Sequence, residues 1–234
     1  MTTLKNTGLI SAFALKMIMA VLMLGDHLAY FLPQFFPFEL HFAGRLVAPV
    51  FCYLMTVSLY HTRNRGRYIA RMATAGLLML AGSFALTGAL GGPGIGNTIF
   101  LSLALSAALI DQIEQATSGD GRLLAHLPVI ILLIVACFFV EGKLLLPVMA
   151  VVFYFLRENK PLMFLTYILA ASGVVFLFGF QPYQHLQALA IVPIAMYSGE
   201  KGSDTAFAKW FFYIFYPLHI WILYIIRHLL FFAH

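Results

Sequence analysis

Lys16-Met-Ile-Met-Ala-Val-Leu-Met-Leu-Gly-Asp26-His27 is an apolar run that carries three ionisable side chains. It lies inside a hydrophobic segment, residues 10 to 32, long enough to cross a hydrocarbon layer about 30 Å thick, where a charge near the middle costs a few kcal/mol. On a helix the step from Lys16 to His27 turns about 1100°, leaving the two side chains within about 20° of one another and about 16 Å apart along the axis. One face of the first span therefore holds a cation near one membrane boundary and an imidazole near the other.

Composition excludes most soluble classes. Of 234 residues, 62% are hydrophobic and 10% charged, and the mean hydropathy is +0.92, the profile of a polytopic membrane protein. The net charge of +5 does not point to nucleic acid, because the basic residues stand in short loops between apolar runs, the distribution that orients membrane helices. Cys52 and Cys137 both fall within apolar runs, so core packing is expected rather than a disulfide or zinc site. The eight histidines are scattered, and no acid or cysteine recurs at ligand spacing, so no metal is expected. The first segment has no small-residue cleavage pattern and is read as a retained span.

Hydrophobic runs cover residues 10–32, 42–60, 68–90, 95–112, 123–140, 144–156, 162–180, 185–197 and 209–231. The expected fold is all-α: a single transmembrane helical domain over residues 1–234, with about nine membrane-spanning helices and a cytoplasmic N-terminus. The sixth run is short for a full crossing. Residues 33–41, rich in proline and aromatic residues, read as a surface loop. Alternate-side counting puts Lys5, Arg63, Arg65, Arg67, Arg71, Arg122, Arg157, Lys160, Lys201 and Lys209 on the cytoplasmic side and only Arg45, Lys143 and Arg227 opposite, in keeping with the positive-inside rule.

Other polar residues carry paired readings. Asp26, about 100° round the helix from His27, either orients a partner on another helix or bonds backbone freed there, or forms a structural ion pair, for instance with Arg45. Arg45 either faces an anionic group or snorkels to headgroups. Glu141 reads as a solvated loop charge. Asn97 either caps the fourth helix or lines a polar cavity. The arginines from Arg63 to Arg71 either set topology against anionic lipid or bind the phosphates of a nucleotide-bearing donor. His219, two residues after the helix-kinking Pro217, either satisfies a freed carbonyl or faces a cavity.

Lys16 through Gly25-Asp26-His27, Gly44-Arg45-Leu46 with Pro49, Tyr60-His61-Thr62-Arg63-Asn64, Asn97 and Phe212-Tyr213-Ile-Phe-Tyr216-Pro217-Leu-His219 together resemble the TraX family, over most of the chain and in order. The resemblance implies a membrane acyltransferase of the pilin-acetylating kind, similar to a wider group in which a basic residue, ten intervening residues and a histidine recur in the first span. It implies an inner-membrane enzyme of a bacterium, with acetyl-CoA or another acyl-CoA as donor, no tightly bound cofactor, and an envelope acceptor such as a pilin N-terminus or a glycan. His27, Lys16, Asp26 and His219 are then the catalytic candidates, and Arg45, Asn97, Tyr216, Arg63 and Arg67 the substrate-binding ones. In this reading His27 is a general base, or activates the thioester for a relayed acyl group, with Asp26 or a neighbour setting its orientation. Lys16 holds an anionic part of the donor or stabilises the tetrahedral intermediate. A proton-coupled transporter and a non-catalytic pilus or envelope assembly factor are the alternatives.

Overall fold

The computed structural model describes residues 8–91, 93–118 and 123–232; Lys5, Asp120 and Arg122 of the loop reading lie outside them. Every regular element among the described residues is helical. In order they are α1 (Ala12–Phe31), α2 (Leu40–Gly44), α3 (Val47–His61), α4 (Arg65–Leu90), α5 (Ile99–Thr117), α6 (Leu123–Cys137), α7 (Leu145–Phe155), α8 (Lys160–Leu177), a 3₁₀ helix (Pro182–Ala190), α9 (Ile191–Ala195) and α10 (Ala206–Phe231). Among the described residues six segments are long and apolar enough to cross a membrane: Ala12–Phe31, Leu40–His61, Arg65–Leu90, Ile99–Thr117, Lys160–Leu177 and Ala206–Phe231. The fifth and sixth hydrophobic runs fold as the shorter α6 and α7, and the eighth as the 3₁₀ helix with α9. Cys52 and Cys137 are both buried and unlinked.

The chain forms two compact units. One contains α1, α2, α3 as far as Phe51, Leu90 and Gly91, and the chain from Leu186 through α10; the other contains Cys52–Ala89 and Pro93–His185.

In the first unit, the open backbone donors at the start of α1 are satisfied by the loop before α10. Ala12 N–H donates to Glu200 O (2.8 Å) and Phe13 N–H to Lys201 O (3.2 Å), while the Ser11 hydroxyl caps Ala14 N–H. Ile10 pairs with Tyr197 in an isolated parallel bridge. Gly202 fits here at φ +77°, against Ser11 and Phe13. Asp204 in this loop pairs with Lys201 and Lys209, and those bonds, Lys201's first, hold its carboxyl below the usual range. Thr205 caps α10 through Ala208 N–H, so the two helices start side by side. They also run parallel, because contacts climb both together: Lys16 with Phe212, His27 with His219 and Phe31 with Tyr224.

At the far end of α1 the chain turns at Pro33 and comes back as α2, which packs against α1 through two glycines. Gly25 leaves room for Leu40, and a side chain on Gly44 would overlap the Asp26 carboxylate. Residues 40 and 41, read as loop from sequence, thus belong to a helix held against the first span.

In the second unit, Tyr154, Tyr167 and Phe153 are almost fully buried. Thr98 and Glu141 bond reciprocally, Thr98 N–H to Glu141 Oε2 and Glu141 N–H to Thr98 Oγ1, each 2.9 Å. Ser102 Oγ adds a bond to Glu141 O at 2.7 Å. Glu141 is therefore not the solvated loop charge expected; it supplies the cap that starts α5. The arginine-rich loop is also shorter than expected, since Arg65, Arg67 and Arg71 already lie on α4. Arg65 binds Asp111 at 3.2 Å, Glu114 and the Tyr154 hydroxyl at 2.8 Å. This network ties the start of α4 to the ends of α5 and α7.

Gly44→Val places a branched side chain where Asp26 stands. The expected cost is about 1–3 kcal/mol from overpacking, read as a lower unfolding midpoint in detergent; Gly88→Val, at a glycine with nothing within 4 Å, serves as control.

Candidate functional site

The reactive groups of the first unit are held by α1, α2 and α10. His27 and His219 are each 7% exposed, with rings stacked at 5.0 Å between centroids and His27 Nδ1 2.7 Å from His219 Nε2. His219 Nδ1 lies 2.7 Å from Phe215 O, one turn back along α10. A carbonyl oxygen only accepts, so His219 Nδ1 carries a proton and its Nε2, in the neutral ring, presents a lone pair. His27 Nδ1 must then donate to that lone pair, which leaves His27 Nε2 as the basic nitrogen. One backbone carbonyl thus sets the tautomers of two imidazoles.

Pro217 removes the N–H that would reach Tyr213 O, and α10 continues through the proline. His219 bonds Phe215 O, which is not the carbonyl that Pro217 frees, and its other nitrogen meets His27 on α1. Tyr216, also buried, stands 6.1 Å from the His27 ring and 5.7 Å from the His219 ring. Phe31 closes the other side of His27 at 6.5 Å.

Asp26 faces α2, not His27. Its carboxylate takes two bonds from Arg45 Nη2, at 3.0 and 2.9 Å, and one from His41 Nδ1 at 2.5 Å. Arg45 Nε also donates to His41 O at 3.1 Å. The sequence reading gave the orientation of His27 to Asp26 or a neighbour; adjacent helical residues point about 100° apart, and His27 bonds His219. Asp26 meets partners beyond its own helix, forming the ion pair with Arg45 and a bond with His41, which sequence reading left in a surface loop. The only signal for His41 was a second histidine just before the next apolar run.

Lys16 lies on the same face of α1 as His27, and its ammonium sits 5.7 Å from the centre of the Phe212 ring on α10. It makes no ion pair among the described residues. Arg63, Arg67 and Asn97 belong to the second unit. Both arginines are exposed, whereas Arg65, which the site reading passed over, turns inward to Asp111 and Glu114. Asp111 and Glu114, three residues apart on one face of α5, were the legible sign that a cation would be drawn in. Asn97 does not cap α5; Thr98 is the cap residue. Among the described residues no group of three or more His, Cys, Asp and Glu is placed to hold a metal ion.

A family model described as "TraX protein" matches residues 11–227. The chain is also 27% identical over 241 residues to a protein of Dichelobacter nodosus named "Probable fimbrial assembly protein FimC, serogroup H1", with 90% of this chain and 93% of that protein covered. No solved structure matches.

Arg45→Met takes two charge-assisted bonds from Asp26 and leaves a partly buried carboxylate with His41 alone. A loss of about 1.5–3 kcal/mol is expected, read from unfolding in detergent. The double change Arg45→Met with Asp26→Leu is expected to recover part of it, because no unpaired charge remains.

Proposed function

The chain belongs to the TraX family, and from that premise we propose that it is an integral-membrane acyltransferase, most simply an acetyltransferase, acting on a pilin or other envelope acceptor. The observation that carries this reading is the bond chain from His27 through His219 to Phe215 O, which presents His27 Nε2 as an unprotonated nitrogen in a dry setting. The name of the Dichelobacter relative supports the pilus and envelope setting.

In the proposed reaction, His27 Nε2 attacks the carbonyl carbon of the acyl thioester. The C–S bond breaks and the thiolate leaves with the bonding pair. The proton on His27 Nδ1 shifts to His219 Nε2, so the acyl-imidazole is neutral and the positive charge rests on His219. Attack by the acceptor amine or hydroxyl then breaks the bond from the acyl carbon to Nε2, and His27 recovers its Nδ1 proton. The Tyr216 ring stands 6.1 Å from that of His27. Lys16, whose ammonium makes no ion pair among the described residues, stabilises negative charge on the donor.

The topology fits a donor and an acceptor on opposite sides. Parallel α1 and α10 accord with an odd number of crossings, and the nine proposed here count the three shorter segments with the six long ones. The 3₁₀ helix rises about 2 Å per residue, so its nine residues with the five of α9 reach about 25 Å. With the N-terminus cytoplasmic, as the lysine and arginine bias favours, Lys16 lies toward the cytosol and His27 toward the outer side of a bacterial inner membrane.

A non-catalytic assembly role is the second reading, favoured by the relative's name. The two differ in a measurement on membranes. With radiolabelled acetyl-CoA, His27→Gln is expected to lower transfer by about 100-fold or more and His219→Ala by about 10-fold or more at normal protein levels. In cells, His27→Gln should remove an increment of about 42 Da from the acceptor, the mass of an acetyl group. Full transfer by His27→Gln removes His27 from the mechanism, and unchanged acceptor masses on deleting the gene favour the assembly role.

A further inference from the structure

Acyl transfer leaves one proton to be placed, and the inference drawn here rests on the acyl-transfer reading above. An acceptor amine or hydroxyl must give up a proton as its nitrogen or oxygen bonds the acyl carbon. The His27 relay is poorly placed to take it. His27 and His219 pass a single proton between them, both rings are 7% exposed, and the relay ends on a carbonyl that cannot be protonated at ordinary pH.

A second imidazole stands at the same end of α1 with the opposite properties. His41 donates its Nδ1 proton to Asp26 Oδ1 at 2.5 Å, and both side chains are 15% exposed. Arg45 Nη2 bonds both Asp26 oxygens, so the carboxylate is fixed in place. In the neutral ring the other nitrogen, Nε2, carries the lone pair and has no hydrogen-bond partner among the described residues. The Phe38 ring, 5.0 Å from that of His41, is exposed and marks this edge as open. A carboxylate that fixes one ring nitrogen and turns the other outward is the arrangement that general-base histidines use.

We infer that His41 is the base that deprotonates the acceptor, with Asp26 as its orienting carboxylate. As the acceptor nitrogen or oxygen bonds the acyl carbon, its proton passes to His41 Nε2, directly or through one water. The electron pair of the breaking C–N bond returns to His27 Nε2. The imidazolium formed at His41 is countered by Asp26 and gives its proton to water at the exposed edge. Asp26 and His27, neighbours in sequence but about 100° apart on the helix, thereby serve two different imidazoles. The competing account is that Asp26, His41 and Arg45 only fasten α2 to α1.

His41→Asn separates the two, because the amide keeps an N–H for Asp26 and has no base to offer the acceptor. The full chain in membrane vesicles is given radiolabelled acetyl-CoA and, in parallel, either a short peptide with a free α-amine or hydroxylamine. The peptide amine is mostly protonated near neutral pH and must lose that proton before it can attack, as well as one on acylation; hydroxylamine is mostly unprotonated and a stronger nucleophile, so its attack depends less on a base. His41→Asn is expected to slow transfer to the peptide by about 100-fold or more while slowing transfer to hydroxylamine far less. Equal loss with both acceptors, or loss with neither, overturns the assignment. If the wild-type chain transfers acetyl to neither acceptor, the acyl-transfer reading itself fails, and this inference with it.

Discussion

Hydrocarbon offers no hydrogen bonds, so every polar group carried into a membrane span must find its partner inside the protein. The site on α1 follows from that constraint. His27 can be buried because His219 accepts its proton, and His219 can accept because Phe215 O takes the proton on its other nitrogen. Breaking any link leaves a buried donor or acceptor unmet, so the three groups hold α1 and α10 in one register as well as setting which nitrogen is basic.

That register depends on the helices being parallel. Their starts are joined by the loop that caps α1 from outside the helix, through Glu200 O and Lys201 O, and from there Lys16 meets Phe212 just as His27 meets His219 further up. The ammonium lies against a ring face instead of a carboxylate, which leaves its charge uncancelled. The acidic residue of the first span is spent on α2, where Gly44 lets the backbone come close enough for Arg45 and His41 to reach Asp26. One helix thereby carries two imidazole systems, a dry one facing α10 and a half-exposed one facing α2.

The second unit solves the same problem with different means. Thr98 and Glu141 satisfy each other's backbone donors, and Arg65 gathers Asp111, Glu114 and the Tyr154 hydroxyl. In the first unit Asp26 is paired with Arg45, and in the second Asp111 and Glu114 are paired with Arg65, as the cost of carrying a charge out of water requires.

Much of this was legible in the sequence. Apolar runs named the helices, because a chain segment in lipid must bond its own backbone and only length and hydrophobicity decide whether it spans. The spacing from Lys16 to His27 placed both on one face, since helical periodicity is local geometry. What sequence could not decide was which side chain each costly residue would meet. Asp26 could equally have served His27 or Arg45, and the choice fell to Gly44, whose missing side chain admits α2. Nothing local marked Phe215 O as the end of a proton relay, Thr98 rather than Asn97 as a helix cap, or His41 as Asp26's partner. Those depend on contacts between residues far apart in the chain, and only packing brings such residues within hydrogen-bonding distance.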